Sequence, residues 1–208
     1  IEGKEMNERF GRSIQLSSDG NTIVAATSGS SLMGKVRVYR KESNENNSWV
    51  QLGEDIIITD TINNHLPMVS ISNDGNVIAA SAPNNSTNGD TAAGRVRIFF
   101  WNGVTWSNLG QDLYGDFSGA LIGRWRQLDL SGDGTTIAIG STSSPIDNTS
   151  GGYVKVFKID RNANYWSQMG QTIMGDSLVD GAGRVSINFD GSIVAIGALF
   201  DDGFGKGN

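Results

Sequence analysis

The segment Asn73-Asp74-Gly75-Asn76-Val77-Ile78-Ala79-Ala80-Ser81-Ala82-Pro83 decides the fold, because its parts return along the whole chain. Asp-Gly recurs at Asp19-Gly20, Asp74-Gly75, Asp133-Gly134 and Asp190-Gly191, at intervals of 55, 59 and 57 residues. Each pair is followed by a short apolar run: Thr22 to Ala26, Val77 to Ala80, Thr136 to Gly140 and Ile193 to Gly197. Such runs, strand-sized and bounded by turn residues, read as strands buried on both faces. Before each turn lies a short alternating stretch such as Ser13-Ile14-Gln15-Leu16-Ser17 or Val69-Ser70-Ile71-Ser72.

Outward from that segment, Gly-x-Val-x-Val/Ile appears at Gly34 to Val38, Gly94 to Ile98 and Gly152 to Val156, and its alternation marks a strand with one wet face. A tryptophan follows at Trp49, Trp106 and Trp166, each with a glycine four residues on at Gly53, Gly110 and Gly170. The unit is therefore strand, tight turn, strand, loop, strand, hairpin, strand. Four antiparallel strands in a repeat of about 57 residues make a β-propeller blade. Solenoid rungs are shorter, commonly about 20 to 30 residues, and WD40 blades run about 40 to 45 with a Trp-Asp pair that is missing here. A kelch blade, about 50 residues long, is closer in length, but no di-glycine stands at the strand end where the kelch pattern requires it.

The expected class is all-β: a single propeller segment over residues 1–208 with about three and a half blades of a longer propeller. Residues 1–9 would end a preceding blade, 10–60, 61–121 and 122–181 would be blades, and 182–208 the first half of a further one. Ile1-Glu2-Gly3 matches Leu113-Tyr114-Gly115 and Ile173-Met174-Gly175, which lie just after a blade's last strand. The expected partners therefore include other copies or the rest of a longer chain.

Composition narrows the function. With 38% hydrophobic and 18% charged residues the chain is globular rather than disordered, and 28 glycines against three prolines suit many short strands and turns. A net charge of −6 with scattered basic residues argues against nucleic acid, which demands clustered Lys and Arg. No apolar run approaches the roughly 18 to 20 residues that span a bilayer, so no membrane insertion by this segment is expected. The absence of cysteine removes disulfides, thiolate chemistry and Cys-ligated zinc.

The phrases resemble the FG-GAP repeats of integrin α-like propellers. Phe10-Gly11 gives the first half of that motif, and Ser81-Ala82-Pro83 and Gly197-Ala198 stand where Gly-Ala-Pro would fall. Phe-Gly is kept once, Ile122-Gly123 and Ala182-Gly183 replace it elsewhere, and Gly-Ala-Pro is nowhere intact. The resemblance implies an extracellular, cell-surface or particle-surface location. It also raises calcium, which such blades hold in a D-x-D-x-D-G loop. That loop is missing: Asp147 to Gly151 and Asn88-Gly89-Asp90 lack the alternating series, and Asp201 and Asp202 are the best remaining metal candidates. No cofactor is otherwise expected.

Loops of varying length, Thr27 to Met33, Ala82 to Ala93, Ser141 to Gly151 and Leu199 to Asn208, share one face with the interblade links, and variable loops on a constant scaffold are where binding resides. The Asp-Gly turns lie on the other face; Asp-Gly suits a two-residue hairpin with positive φ, so these aspartates read as structural. Arg124-Trp125-Arg126 is the unusual tripeptide. A Trp exposed between guanidinium groups stacks on a sugar ring or grips an anion; the competing reading packs Trp125 between blades and leaves the arginines wet. Trp49, Trp106 and Trp166, being periodic, read as interblade core. Sequons at Asn46, Asn84, Asn85 and Asn148 offer glycan acceptors in a secretory route. The lone histidine, His65, makes neither a triad nor a zinc site, and nothing in spacing selects a pair among Asp116, Asp129, Asp176 and Asp180 for two-carboxylate hydrolysis.

These readings lead to a non-enzymatic surface propeller acting in adhesion, assembly or protein recognition through its variable loops, with a protein or glycan as partner. The alternatives are a carbohydrate-binding propeller and, third, a glycoside-hydrolase-type enzyme.

Overall fold

A computed structural model describes residues 1–28, 34–42, 48–58, 67–86, 90–143, 151–176 and 180–199. It is an all-β propeller segment. The first sheet holds β1 (Ser13–Leu16), β2 (Thr22–Ala26), β3 (Lys35–Lys41), β4 (Trp49–Gln51) and β5 (Ile56–Ile57). The second holds β6 (Val69–Ile71), β7 (Val77–Ala82), β8 (Arg95–Trp101), β9 (Trp106–Asn108) and β10 (Leu113–Tyr114). The third holds β11 (Leu128–Leu130), β12 (Thr136–Ser141), β13 (Tyr153–Asp160), β14 (Tyr165–Gln168) and β15 (Ile173–Met174), and β16 (Ala182–Ile187) pairs with β17 (Val194–Ala198) in the fourth. All ladders are antiparallel. In the three larger sheets the fourth strand is interrupted: β4 and β5 both pair with β3, β9 and β10 with β8, and β14 and β15 with β13. The break falls at Gly53, Gly110 and Gly170, whose φ angles of 75°, 76° and 65° a side chain resists.

Period 2 explains the core. On β7, Val77 and Ala79 join Leu128, Leu130, Ile137 and Ile139 of the third sheet, while Ile78 and Ala80 join Val24, Val36, Val69 and Phe99 between the first and second. Both faces of the strand meet a neighbouring blade, so it is apolar from Val77 to Ala80, and the buried Ser81 near its end is tolerated because its hydroxyl is hydrogen-bonded to Gly123 O. A third cluster, Ala138, Val154 and Val156 against Val185, Val194 and Ile196, joins the third sheet to the fourth. Ile14 and Leu16 on the first sheet and Phe189 and Ile193 on the fourth are exposed, so each end sheet shows solvent an apolar face.

The innermost strands would otherwise leave bare edges. Instead each is stitched to the next by side chains: Ile71 N donates to Gln15 Oε1 (3.0 Å), Leu130 N to Ser70 Oγ (3.0 Å) and Ile187 N to Asp129 Oδ2 (2.9 Å).

The Asp-Gly turns are four-residue loops closed by Ser17 N to Thr22 O and its counterparts, not the two-residue hairpins expected. Only the glycine takes positive φ (68° at Gly20), while the aspartate caps its own turn: Asp19 Oδ1 accepts from Ser17 Oγ (2.6 Å) and Asn21 N (2.9 Å). Asp74 and Asp133 repeat the pattern, which leaves these carboxylates structural. The Ser17 hydroxyl and the Asn21 amide hold the Asp19 carboxyl down at about 2.

Candidate functional site

The segment leading into β11 breaks the regularity of the repeat. Gly123, Trp125 and Arg126 have φ of 72°, 50° and 67°, and two consecutive bulky residues in the left-handed region cost on the order of 1 to 2 kcal/mol each. The surroundings hold them there. Gln127 N donates to Arg124 O (3.1 Å), Val185 N to Arg126 O (3.2 Å), and Gly123 is pinned at both ends, its N–H on Gly140 O (3.0 Å) and its carbonyl under Ser81 Oγ (2.7 Å).

This geometry turns Trp125 outward, 45% exposed, and lays the Arg124 guanidinium over its ring at 3.8 Å from the centroid. The interblade placement of Trp125 is thereby excluded: tryptophan is at the surface and Arg124 is the half-buried member. Burial pushes the Arg124 pKa down, although an arginine stays protonated at any ordinary pH. Arg126 is exposed. Its neighbour Gln127, which drew no attention in the sequence, is 1% exposed; its Oε1 is spent on Arg124 N (3.1 Å). Two buried side-chain nitrogens, Arg124 Nε and Gln127 Nε2, then have no acceptor among the described residues. A polar group buried without a partner costs about 1 to 3 kcal/mol, so the segment that presents the exposed Trp125 also carries two unspent donors.

Two residues along the strand, Asp129 faces the stitching between innermost strands, accepting from Ser70 Oγ (3.1 Å) as well as Ile187 N. Burial raises its pKa against those hydrogen bonds. The other carboxylates considered for paired catalysis are not gathered with it: Asp116 is ion-paired with Lys155, Asp180 is buried and Asp176 is exposed. Among the described residues no three His, Cys, Asp or Glu side chains are close enough to hold a metal. Asp201 and Asp202 lie outside the described residues, as do His65, Asn46, Asn148 and most of the variable loops. Asn84 is half-buried and Asn85 is buried at 5%, which leaves no room for a glycan on the latter.

No family model matches the chain, and no curated protein matches it. Solved structures do. A Bacteroides uniformis protein provisionally assigned as a 6-phosphogluconolactonase superposes with a TM-score of 0.57 at 13% identity, covering 88% of this chain and 46% of its own. Its Bacteroides fragilis counterpart gives 0.54 at 16% identity with the same coverage, and a periplasmic gluconolactonase from Pseudomonas aeruginosa gives 0.51 at 17%, covering 89% and 46%. At such identities the likeness shows the fold, and this chain spans about half the length of these proteins. The expectation of a non-enzymatic adhesion, assembly or recognition propeller is corrected by these matches. These three structures are named as lactonases and not as FG-GAP proteins, so the want of a triad or a carboxylate pair in the sequence gave no ground for excluding an enzyme.

Proposed function

We propose that the chain belongs to a hydrolase acting on the cyclic ester of a sugar acid, with Arg124, Trp125 and Gln127 forming part of its binding site. The observation that carries this reading is the pair of buried donors, Arg124 Nε and Gln127 Nε2, left without an acceptor beside an exposed indole. Ester hydrolysis passes through a tetrahedral oxyanion, and donors fixed in a water-poor site stabilise it more than water does, by up to about 3 to 4 kcal/mol for one well-placed group. The indole face offers a platform for the C–H face of a sugar ring, and the stacked guanidinium adds charge where the oxyanion develops. A sugar lactone already opens in plain water, so oxyanion stabilisation accelerates a reaction that needs no protein nucleophile. The lactonase names of the structural neighbours support the substrate class. Further blades packed on the exposed apolar faces of the end sheets would supply the rest of the wall around the axis.

The test is hydrolysis of D-glucono-1,5-lactone followed by acid release in a pH-stat, with the spontaneous rate subtracted. Acceleration by the chain, cut about tenfold to a thousandfold in Arg124→Met and Gln127→Leu, is expected. An unaccelerated rate at stoichiometric protein, with no perturbation of the Trp125 indole resonance by gluconate, would remove the proposal.

A further inference from the structure

At the outer rim, the same seam between blades is built twice and closed once. Trp166 Nε1 donates to Leu109 O (2.7 Å) across the seam between the second and third sheets, and Trp106 Nε1 donates to Leu52 O (2.8 Å) across the seam between the first and second. The backbone of each tryptophan points away from its own sheet: the bonds Leu109 N to Ile98 O and Met169 N to Val156 O place Trp106 and Trp166 at positions whose N–H and C=O face outward. Around Trp166 these groups are satisfied. The Gln111 carboxamide accepts from Trp166 N (2.8 Å) and donates to Trp166 O (2.7 Å), and Asn164 Oδ1 accepts from Gly110 N (2.8 Å).

Around Trp106 they are not. Glu54 stands where Gln111 does, one residue past the seam glycine, and Val104, 76% exposed, stands where Asn164 does. A carboxylate cannot donate to a carbonyl and valine cannot accept from an amide. The N–H of Gly53 and the N–H and C=O of Trp106 therefore have no partner among the described residues. The seam opens accordingly: Trp106 is half-buried where Trp166 is 1% exposed, and a cavity of about 360 Å³ lies between Gly53, Glu54, Val104 and Trp106. It adjoins a shallow, open depression across Glu54 and Asp55 that Lys4 and Gln51 also line, the Lys4 ammonium being bonded to the Gln51 carboxamide.

We infer that this open seam is a binding site for a cationic carboxamide, such as an arginine or lysine residue within a short extended peptide. The amide takes the place on Trp106 that the Gln111 side chain takes on Trp166, one N–H to the carbonyl and one oxygen to the amide, while its cation meets the Glu54 carboxylate beside the indole edge. Asp55 is already engaged by Arg37 and Gln51, so Glu54 is the carboxylate free to receive that charge. The site is on the outer strands, away from Arg124 and Trp125, and does not depend on the lactonase reading.

The test is a titration with L-argininamide, followed by the backbone amide resonances of Gly53 and Trp106. Saturable shifts at both are expected, with acetamide, which lacks the cation, and agmatine, which lacks the carboxamide, binding at least about tenfold more weakly. Glu54→Gln should close the seam in the manner of Gln111, weakening argininamide at least about tenfold and slowing hydrogen exchange of the Trp106 amide. Val104→Asn, at an exposed position that does not threaten folding, should weaken binding by capping Gly53. An acetylated Gly-Arg-Gly amide that binds more tightly than argininamide identifies a polypeptide ligand, whereas equal binding identifies a small amide. Absence of saturable shifts with every probe, or undiminished binding in Glu54→Gln, overturns the inference.

Discussion

The two rim seams come from one repeat, carry the same tryptophan and the same glycine, and differ in what surrounds them. At the seam between the second and third sheets a carboxamide and an asparagine close the backbone of the glycine and the tryptophan. At the seam between the first and second a carboxylate and a valine leave it open. With net values near 1 kcal/mol for a neutral hydrogen bond, the three extra bonds are worth about 3 kcal/mol to the closed seam. The lesson is that the indole-to-carbonyl clasp builds the propeller, whereas the residue after the glycine decides whether the rim is packing or a cavity.

The largest effect should come from filling the glycine. Gly110 and Gly53 have nearly the same φ, 76° and 75°, so the cost of left-handed backbone cancels between them. A Cβ on Gly110 collides with the Trp166 indole, whereas on Gly53 it meets Trp101 at 3.0 Å and Trp106 at 3.3 Å. Gly110→Ala is expected to cost about 2 to 4 kcal/mol and Gly53→Ala about 1 to 2, read from urea midpoints at unchanged m-value. Equal losses would mean that the seams are equally tight and would break the comparison.

Next in size is exchange of the deciding side chains. Gln111→Glu should lose about 1 to 3 kcal/mol, since Trp166 O then faces an acceptor in a buried setting, and Glu54→Gln should gain up to about 1 kcal/mol. A loss in Gln111→Glu together with a gain in Glu54→Gln would sharpen the assignment. A destabilising Glu54→Gln would show that the carboxylate has a structural partner.

Much of this was legible in the sequence, for physical reasons that also mark its limits. Val77 to Ala80 read as a doubly buried strand because a blade packs on both sides, and period 2 sends alternate residues to each neighbour. The Trp-to-Gly spacing was visible because an indole that docks on a neighbouring backbone demands a residue without Cβ. Trp106 packs against the interblade core as its periodicity implies, but stays half-buried with a cavity on its other side, since full closure depends on the chemistry of Glu54 in the neighbouring blade and of Val104 in its own hairpin. Aligning Glu54 with Gln111 would have signalled that difference. Arg124-Trp125-Arg126 stood out by composition, but its outward turn rests on left-handed backbone that no residue type announces. Gln127 was invisible because an inner strand accepts serine, methionine or glutamine at that place. The proposed hydrolase function was illegible for a related reason: buried donors without a partner, such as Arg124 Nε and Gln127 Nε2, form no motif.

The smallest effect concerns acid, and it tests whether the open seam is also the weaker one. Asp55 stands one residue beyond Glu54 and accepts from Arg37 Nε at 2.9 and 3.0 Å, while Glu8 takes the other side of that guanidinium, which is wholly buried. Burial tends to raise the Asp55 carboxyl, but the bonds from Arg37 and Gln51 outweigh it and hold the pKa below the ordinary value. A depressed pKa means that the folded state binds its proton less readily than the unfolded chain. The stability it contributes is therefore complete above the unfolded value, about 4, and is lost as pH falls through the lower folded value. Acidification below pH about 4 should loosen the first sheet's outer strand, with the Leu52 amide gaining exchange before the Leu109 amide. In Asp55→Asn that acid-dependent part should vanish, since the amide still accepts from Arg37 but carries no proton equilibrium. Simultaneous loosening of both amides in the wild-type chain would place the acid-sensitive group elsewhere and make the two seams equivalent in the property that matters for opening.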